Sequence, residues 1–323
     1  MRYAKLLPLL LLVSCNSPEN KTENKAPSSP SPTILIHGGA GTITKEGLSD
    51  EVEAAYERSL QRVLDSGYKW LNEGVAPEEV VARSISMMES DSLFNSGVGA
   101  VVTAKGEAEL DASIMRGSDL QAGAVSGLKH IEHPIQLAKV VMDSSKHVML
   151  SGTGAEEYAQ KMGFPLVDNS LFITHRRANQ YADLVPDKMG TVGVVVLDAD
   201  GNLSAGTSTG GMMMKEYGRI GDSPIIGSGT YADNAGCAVS CTGHGEYFIR
   251  HSVAGQLSLR VKHGEDLSAA ANDILFNILN AQHGAGGLIA LDANGNYTMP
   301  FNTSGMFRGV KNADTTFVGM YSE

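Results

Sequence analysis

The chain has 323 residues, of which 42% are hydrophobic and 19% are charged, ordinary values for a globular protein with one large domain or two smaller ones. The formal net charge is −11, and the sequence has no stripe of basic residues. Because phosphate backbones are bound by clustered Lys and Arg, this composition argues against a nucleic-acid partner.

The first 32 residues differ from the rest of the chain. Arg2 and Lys5 precede an apolar run over residues 6–13, which is too short to cross a bilayer and is typical of an export signal. The ending LVSC resembles a bacterial lipobox, which predicts removal of residues 1–14 and lipidation of Cys15; an ordinary signal peptide is the alternative. The polar, Pro/Ser-rich residues 15–32 predict a disordered tether. We therefore expect an exported, membrane-anchored lipoprotein, in the periplasm or at the cell surface.

The next segments predict a strand followed by helices. TILI, from residue 33, predicts a buried strand that leads into the glycine turn HGGAG, which does not match nucleotide-binding glycine motifs. Asp50 is expected to cap a helix whose apolar stripe includes Val52, and Pro77 opens a second helix. Residues 93–115 alternate apolar and small residues, which predicts paired strands. Residues 167–189 predict an exposed loop.

The pattern changes after residue 190. TVGVVVLDADGNLSAG predicts strand, turn and strand, and GGLIALDANGNYT repeats this pattern near the C-terminus. Between them, GCAVSC predicts a strand, on which Cys237 and Cys241 lie about 13 Å apart, too far for a disulfide. Two helices follow, over residues 246–264 and 266–282. The order of elements predicts a layered α+β fold.

The pair Gly190-Thr191 stands where a polar segment meets a run of valines. Two interpretations are open: the pair simply opens a strand, or Thr191 is a nucleophile released by cleavage of the Gly190–Thr191 bond. A threonine hydroxyl needs an adjacent base, and a free α-amino group, which titrates near pH 7.7–8.0, would supply one within the same residue. Glycine at 190 would allow the strained backbone that such a cleavage needs.

Several longer motifs resemble those of a known enzyme family, and this resemblance favours Thr191 as a nucleophile. The segments MGTVGVVVLDADGNLSAGTSTGG, GRIGDSP, GSGTYADNAGCAVSCTGHGE and GGLIALDANGNYTMPFNTSGM resemble the plant-type L-asparaginase and isoaspartyl peptidase family of N-terminal nucleophile hydrolases. ILIHGGAG and ESDSLFNSGVGAV match its amino-terminal half, so the resemblance covers residues 33–323. It implies a four-layer αββα sandwich that cleaves itself into an α subunit ending at residue 190 and a β subunit of residues 191–323. It also implies an (αβ)₂ assembly.

The resemblance assigns the catalytic residues. Thr191 is the nucleophile, and Thr209 matches a second threonine that hydrogen-bonds near it. Thr242 and Gly243 match an oxyanion hole, in which a hydroxyl and a backbone N–H face the developing negative charge. Asn95 matches an asparagine near the nucleophile.

Arg219, Asp222 and Gly245 match the residues that bind the substrate's α-groups. A guanidinium suits an α-carboxylate and a carboxylate suits an α-ammonium group, so Arg219 and Asp222 together would hold an amino-acid zwitterion. From their spacing alone, the alternative is that the two pair with each other at the surface. Gly245 is expected to contribute a backbone contact.

The segment 88–98 matches a loop whose main-chain carbonyls wrap a structural sodium ion. The expected main-chain ligands are Met88, Glu89, Asp91, Phe94, Ser96 and Val98. Carbonyl oxygens suit hard cations, although ESDS departs here from the family's more usual sequence. We expect no catalytic cofactor. His37 and His244 are expected to be structural, and neither forms a metal-ligand cluster in the sequence.

The sequence thus predicts an autoproteolytically activated hydrolase that releases L-aspartate from β-aspartyl dipeptides and L-asparagine. One alternative is a glycosylasparaginase, which would act on asparagine-linked sugar by the same chemistry. Another is an uncleaved lipoprotein that only binds an amino acid.

Overall fold

The structure is a computed structural model, and it describes residues 30–183 and 190–322. The predicted signal peptide and Cys15 lie outside the described residues. None of the helices in the described ranges is long and apolar enough to cross a membrane.

Twelve strands are present in the described ranges. In chain order they are β1 (Thr33–Gly41), β2 (Leu110–Arg116), β3 (Ala122–Leu128), β4 (Met149–Ser151), β5 (Val192–Leu197), β6 (Leu203–Thr209), β7 (Thr230–Ala232), β8 (Cys237–Gly243), β9 (Gly286–Asp292), β10 (Tyr297–Thr298), β11 (Gly305–Lys311) and β12 (Thr316–Tyr321).

The α-helices of the same ranges lie before, between and after these strands. They are α1 (Asp50–Asn72), α2 (Pro77–Glu89), α3 (Pro134–Ser144), α4 (Gly152–Lys161), α5 (His175–Ala182), α6 (Gly245–His251), α7 (Val253–Lys262) and α8 (Leu267–Asn272). A π-helical turn over Asp273–Leu279 continues α8, and short 3₁₀ turns cover Lys45–Gly47, Asn169–Phe172 and Asn280–Gln282.

The strands form two stacked sheets. The larger sheet has the order β12-β11-β1-β5-β6-β2-β3-β4, and the smaller has the order β10-β9-β8-β7. Helices α1, α2 and α3 cover the outer face of the larger sheet, while α7 and α8 cover the smaller one. The predicted α+β fold, a four-layer αββα sandwich, is confirmed.

The apolar runs of the sequence follow from this layering. On β1, Ile34 and Ile36 pack beneath the helices, whereas Leu35 packs between the two sheets. All three are fully buried. Because successive side chains of a strand face opposite sides, a strand covered on both faces needs apolar residues at every position. Burial of each such side chain stabilises the fold by about 1.5–3 kcal/mol.

Strand β5 lies in the middle of the larger sheet, between β1 and β6. Both segments that flank the predicted cleavage point contribute strands to this sheet, since β1 to β4 precede residue 190 and β5, β6, β11 and β12 follow it. The division into residues 33–190 and 191–323 stays a prediction. Two chains made in this way would share a core and one continuous sheet.

Some local predictions are wrong. Ser49, not Asp50, caps α1, because its side chain accepts a hydrogen bond from the Val52 N–H at 3.4 Å. Asp50 therefore lies inside the first turn, and Val52 is 38% exposed instead of belonging to the buried stripe.

The predicted exposed loop over residues 167–189 contains ordered structure. It includes a 3₁₀ turn, helix α5 and two buried side chains, Phe172 and Arg177; residues 184–189 lie outside the described part of the chain. The paired strands predicted over residues 93–115 reduce to a bridge between Val102 and Ala108, followed by β2. Turns at Gly97 and Gly99, both at positive φ, interrupt any earlier strand.

Candidate active site

A cleft of about 400 Å³ opens where β5 begins. Thr191, Thr242 and Gly243 all line it. Thr191 directly precedes β5 of the larger sheet, and Thr242 and Gly243 end β8 of the smaller sheet. The stacking of the two sheets therefore brings together residues that are far apart in the chain.

Thr191 and Thr209 are in direct contact. Thr191 Oγ1 donates a hydrogen bond to Thr209 Oγ1 at 3.2 Å, and Thr191 is 8% exposed. Thr209 Oγ1 also accepts from the Gly211 N–H at 3.0 Å. This proximity follows from the register of β5 and β6, in which Val192 lies opposite Ser208. The pairing of two hydroxyls matches the sequence-based expectation, and their catalytic roles stay predictions.

Gly190 occupies a position that admits no side chain. Its φ is +135°, and an added Cβ would lie 2.1 Å from the Cβ of Asn95. An added Cβ on Gly39, in the HGGAG turn, would lie 2.9 Å from the Cα of Gly190. The peptide before Thr191 is therefore held in a crowded, left-handed backbone conformation that glycine tolerates best.

Asn95 is fixed beside this peptide. Its Nδ2 donates to the Gly211 carbonyl at 2.8 Å, and its Oδ1 accepts from the Val101 N–H at 2.8 Å. Its main-chain carbonyl accepts from the Gly210 N–H. Asn95 thus connects its own loop to the turn after β6 and lies next to Gly190, the residue before Thr191. Its predicted catalytic role stays a prediction.

Thr242 and Gly243 end strand β8 at the cleft. Thr242 Oγ1 accepts a hydrogen bond from the Ala40 N–H at 3.3 Å, which leaves its hydroxyl hydrogen for another acceptor. Gly243 has φ +152°, and an added Cβ would lie 2.4 Å from the Ala285 carbonyl oxygen. The two residues can therefore present a hydroxyl and backbone to the cleft, an arrangement compatible with an oxyanion hole.

Arg219 and Asp222 do not pair with each other. Arg219 forms a two-pronged ion pair with Glu246, with Nε to Oε1 at 2.9 Å and Nη2 to Oε2 at 3.1 Å. Gly245 lies close to both Asp222 and Arg219, since an added Cβ would lie 2.8 Å from Asp222 Oδ1 and 3.0 Å from Arg219 Nη2. Neither Arg219 nor Asp222 is among the residues lining the cleft of Thr191.

The carboxylate of Asp222 is buried and lacks a full set of partners. Only 4% of Asp222 is exposed, and its Oδ2 has no hydrogen-bond donor among the described residues. Burial raises the pKa of Asp222 to about 7. Because an unpaired buried carboxylate is costly, an ammonium group is the ligand that would satisfy it best.

The predicted cation loop brings main-chain oxygens close together. An added Cβ on Gly99 would lie 2.7 Å from the Ser92 carbonyl oxygen and 2.8 Å from that of Phe94. The Asp91 side chain instead accepts hydrogen bonds from Ser59 Oγ and the Leu93 N–H.

Backbone carbonyl oxygens are ligands that suit a hard cation. The other predicted ligands lie at the end of α2 and on the loop that follows it. Three of their carbonyls already accept backbone hydrogen bonds: Met88 from Asp91, Asp91 from Phe94 and Glu89 from Val98. Sodium binding stays a prediction.

The remaining polar residues have structural positions. His37 is fully buried, and His244 lines the cleft as the residue before α6. Cys237 and Cys241 are free and buried, and burial raises the pKa of the Cys237 thiol to about 12. In the ranges that the structure describes, no group of three or more His, Cys, Asp or Glu is placed to hold a metal ion.

Sequence reasoning missed part of the site. Thr42, Met212, Met213 and Ser304 also line the cleft, and Glu246 pairs with Arg219. Thr42, Met212 and Met213 stand within two residues of the end of a quoted motif, so extending those motifs could have found them. Glu246 and Ser304 lie inside quoted motifs and were passed over there.

This arrangement, a threonine at the head of a central strand in an αββα sandwich, defines the N-terminal nucleophile hydrolases. A family model described as asparaginase matches residues 30–187 and 181–319. The chain belongs to the asparaginase family and is a hydrolase.

Curated relatives cover nearly all of the chain. The isoaspartyl peptidase of Salmonella typhimurium is 43% identical over 308 residues, covering 90% of this chain and 98% of that protein. The isoaspartyl peptidase of Escherichia coli is also 43% identical, with 90% and 96% coverage. The isoaspartyl peptidase/L-asparaginase of Mus musculus is 38% identical over 291 residues, with 86% and 88% coverage.

Proposed function

We propose that this chain hydrolyses β-aspartyl dipeptides and L-asparagine and releases L-aspartate, with Thr191 as the nucleophile. One observation carries the proposal: Thr191 Oγ1 lies in the cleft and donates to Thr209 Oγ1 at 3.2 Å, directly after the crowded Gly190. The names of the relatives, isoaspartyl peptidase and L-asparaginase, support this substrate class.

Activation begins with a break of the Gly190–Thr191 bond. Thr191 Oγ1 attacks the Gly190 carbonyl, and the Gly190 acyl group moves from the Thr191 nitrogen to Oγ1, which breaks the peptide bond and forms an ester. Water then hydrolyses this ester. Residues 191–323 then begin with a free α-amino group. Because strands from both sides of the break share the larger sheet, the two chains stay associated, and we propose that two such pairs form the (αβ)₂ assembly.

Turnover then uses one residue as nucleophile and base. The α-amino group of Thr191 takes the proton of Oγ1, and Oγ1 attacks the side-chain carbonyl of the substrate. The Thr242 hydroxyl and the Gly243 N–H stabilise the oxyanion. The protonated amine returns its proton to the leaving nitrogen, ammonia or an amino acid departs, and water releases aspartate from the acyl-enzyme.

The free amino-acid end of the substrate is held beside the cleft. Asp222 accepts the α-ammonium group, which supplies the donor that its Oδ2 lacks among the described residues. Arg219 binds the α-carboxylate, and because Glu246 holds the guanidinium in the absence of substrate, the substrate must displace or share that contact. The carbonyl oxygens of the loop over residues 88–98 would hold a sodium ion with a purely structural role.

We also propose export and lipidation at Cys15, on the pattern of the first 15 residues. Radiolabelled palmitate incorporation into the wild-type chain, but not into Cys15→Ser, would support this assignment. A wild-type chain that takes up no label would remove it.

A substrate panel tests the proposed function. Purified, matured protein should hydrolyse β-aspartyl dipeptides and L-asparagine, measured as released aspartate. A strong preference for glycosylasparagine would instead establish the glycosylasparaginase alternative. Failure on all three substrates by fully cleaved protein would refute the proposal, and protein that stays uncut and inactive would favour the alternative of an amino-acid-binding lipoprotein.

A further inference from the structure

A buried chain of polar groups joins the backbone of Thr191 to the interior between the two sheets. His37, on β1, is fully buried; its Nδ1 lies 3.0 Å from the Thr191 carbonyl oxygen and its Nε2 lies 2.9 Å from Ser240 Oγ. His37 therefore connects the candidate nucleophile to strand β8 of the smaller sheet.

The hydrogen-bond partners fix the tautomer of this histidine. A carbonyl oxygen only accepts, so Nδ1 must carry the hydrogen and Nε2 must accept one from Ser240. Desolvation by burial lowers the pKa of His37 to about 3, so the ring is neutral at any working pH.

The next hydroxyls along this chain are oriented in turn. Since the hydrogen of Ser240 Oγ goes to His37, Thr207 Oγ1 is the donor to Ser240 Oγ at 2.7 Å, with the Gly229 carbonyl as a second, longer acceptor at 3.2 Å. Thr230 Oγ1 donates to Thr207 Oγ1 at 2.6 Å, and Ser113 Oγ lies 2.8 Å from Thr230 Oγ1. The hydrogen bonds thus run in one direction from Thr230 to the Thr191 carbonyl, whereas the Ser113 hydroxyl also donates to the Ser223 carbonyl at 2.6 Å.

Gly193 provides the space for this connection. An added Cβ at Gly193 would lie 2.0 Å from Ser240 Oγ and 2.2 Å from His37 Nε2. Any side chain at position 193 would therefore clash with the hydrogen bond between His37 and Ser240, which explains why this residue is a glycine.

Thr191 itself lies outside the strand pairing, which starts with Val192 opposite Ser208 and Gly193 opposite His37. After cleavage of the bond to Gly190, the backbone of Thr191 would be tethered on one side only. We propose that His37, as the neutral Nδ1–H tautomer, is a positioning residue that holds the Thr191 carbonyl and thereby orients the terminal amine and Oγ1. This inference rests on the proposed function.

Variants of His37 test the role in catalysis. His37→Phe keeps a ring and removes both nitrogens, so kcat should fall about 100-fold per matured chain with KM unchanged, because the substrate's amino-acid end is held elsewhere. His37→Asn, whose amide N–H can replace Nδ1–H, should restore most of the lost kcat. His130→Phe is the matched control: His130 Nδ1 makes the same 3.0 Å contact with the Val167 carbonyl, away from the cleft, and kcat should not change.

Wild-type kcat in matured His37→Phe, or equal loss in His37→Asn, would overturn the proposal. Nitrogen-15 NMR of the wild-type chain gives a readout that needs neither variant nor substrate. It should show a neutral His37 with its hydrogen on Nδ1 at pH 7, and an Nε2–H or doubly protonated ring would contradict the inference. Wild-type protein that hydrolyses none of the three substrates would refute the proposed function while leaving this tautomer measurable.

Discussion

The hydroxyl of Thr242 offers a sharp test of the proposed oxyanion hole. Thr242 is 1% exposed, and its Oγ1 accepts from the Ala40 N–H, so its hydrogen is available to a negative charge in the cleft. Thr242→Val has nearly the same shape and removes only the hydroxyl. Loss of one oxyanion donor typically lowers kcat by about 10²–10³-fold, or about 2.7–4 kcal/mol of transition-state stabilisation.

The same substitution also leaves the Ala40 N–H at 3.3 Å without its acceptor. A buried unsatisfied donor costs about 1–3 kcal/mol of unfolding free energy, so Thr242→Val should also be less stable. Thr33→Val is the matched control, since Thr33 is 1% exposed and its hydroxyl donates to the Ser31 carbonyl at 2.9 Å, on β1 and away from the cleft. That variant can lose stability, but its kcat should stay at the wild-type value.

The assay is aspartate release from a β-aspartyl dipeptide, normalised to the fraction of chain cleaved before Thr191. Thr242→Ser, which retains a hydroxyl, should keep most of the activity that Thr242→Val loses. A cleaved Thr242→Val protein with wild-type kcat would refute the oxyanion assignment, and equal losses in the Ser and Val variants would trace the effect to packing instead of the hydroxyl.

Three further predictions follow from the site. Thr191→Ala should give an uncut chain without hydrolase activity, measured on a denaturing gel and by aspartate release; activity in this variant would remove Thr191 as nucleophile. Arg219→Ala should mature normally and lose kcat/KM, whereas Arg83→Ala, which removes an exposed helix ion pair, should match wild type; an unchanged kcat/KM in Arg219→Ala would exclude its guanidinium from substrate binding. The third prediction concerns pH, because burial raises the folded-state pKa of Asp222 from the ordinary aspartate value of 3.8 to about 7. The folded state then holds a proton that the unfolded state releases, so stability is lost as pH rises from about 4 to about 7, by an amount on the order of a few kcal/mol. Asp222→Asn should flatten this dependence in urea unfolding measured across that pH range, and an identical slope in wild type and variant would contradict the assignment.

The sequence predicted the class of fold but not its topology. The alternating and continuous apolar runs were enough to identify strands such as β1 and β5. Nothing local could show that β1 lies between β5 and β11, because that order depends on which apolar faces the helices cover. The predicted start of α1 was wrong because two residues that can both cap a helix, Ser49 and Asp50, are adjacent. Helix α5 was missed because its polar sequence resembles a loop and is held by the buried Arg177.

The site was predicted to a similar degree. Motif resemblance named Thr191, Thr209 and Thr242, which the structure brings to one end of the sandwich. Resemblance could not show that Glu246 holds Arg219, because the two residues are 27 positions apart and meet only where the first turn of α6 packs beside Arg219. Nor could it reveal the contact of His37 with the Thr191 carbonyl, because the two residues lie 154 positions apart and meet only through strand pairing.

Intact-mass spectrometry of a fully active preparation tests the central claim most directly. We predict that aspartate release rises in proportion to a fragment whose first residue is Thr191, and that a preparation without this fragment is inactive. Hydrolysis of a β-aspartyl dipeptide by chains that remain continuous from Gly190 to Thr191 would contradict the proposed mechanism.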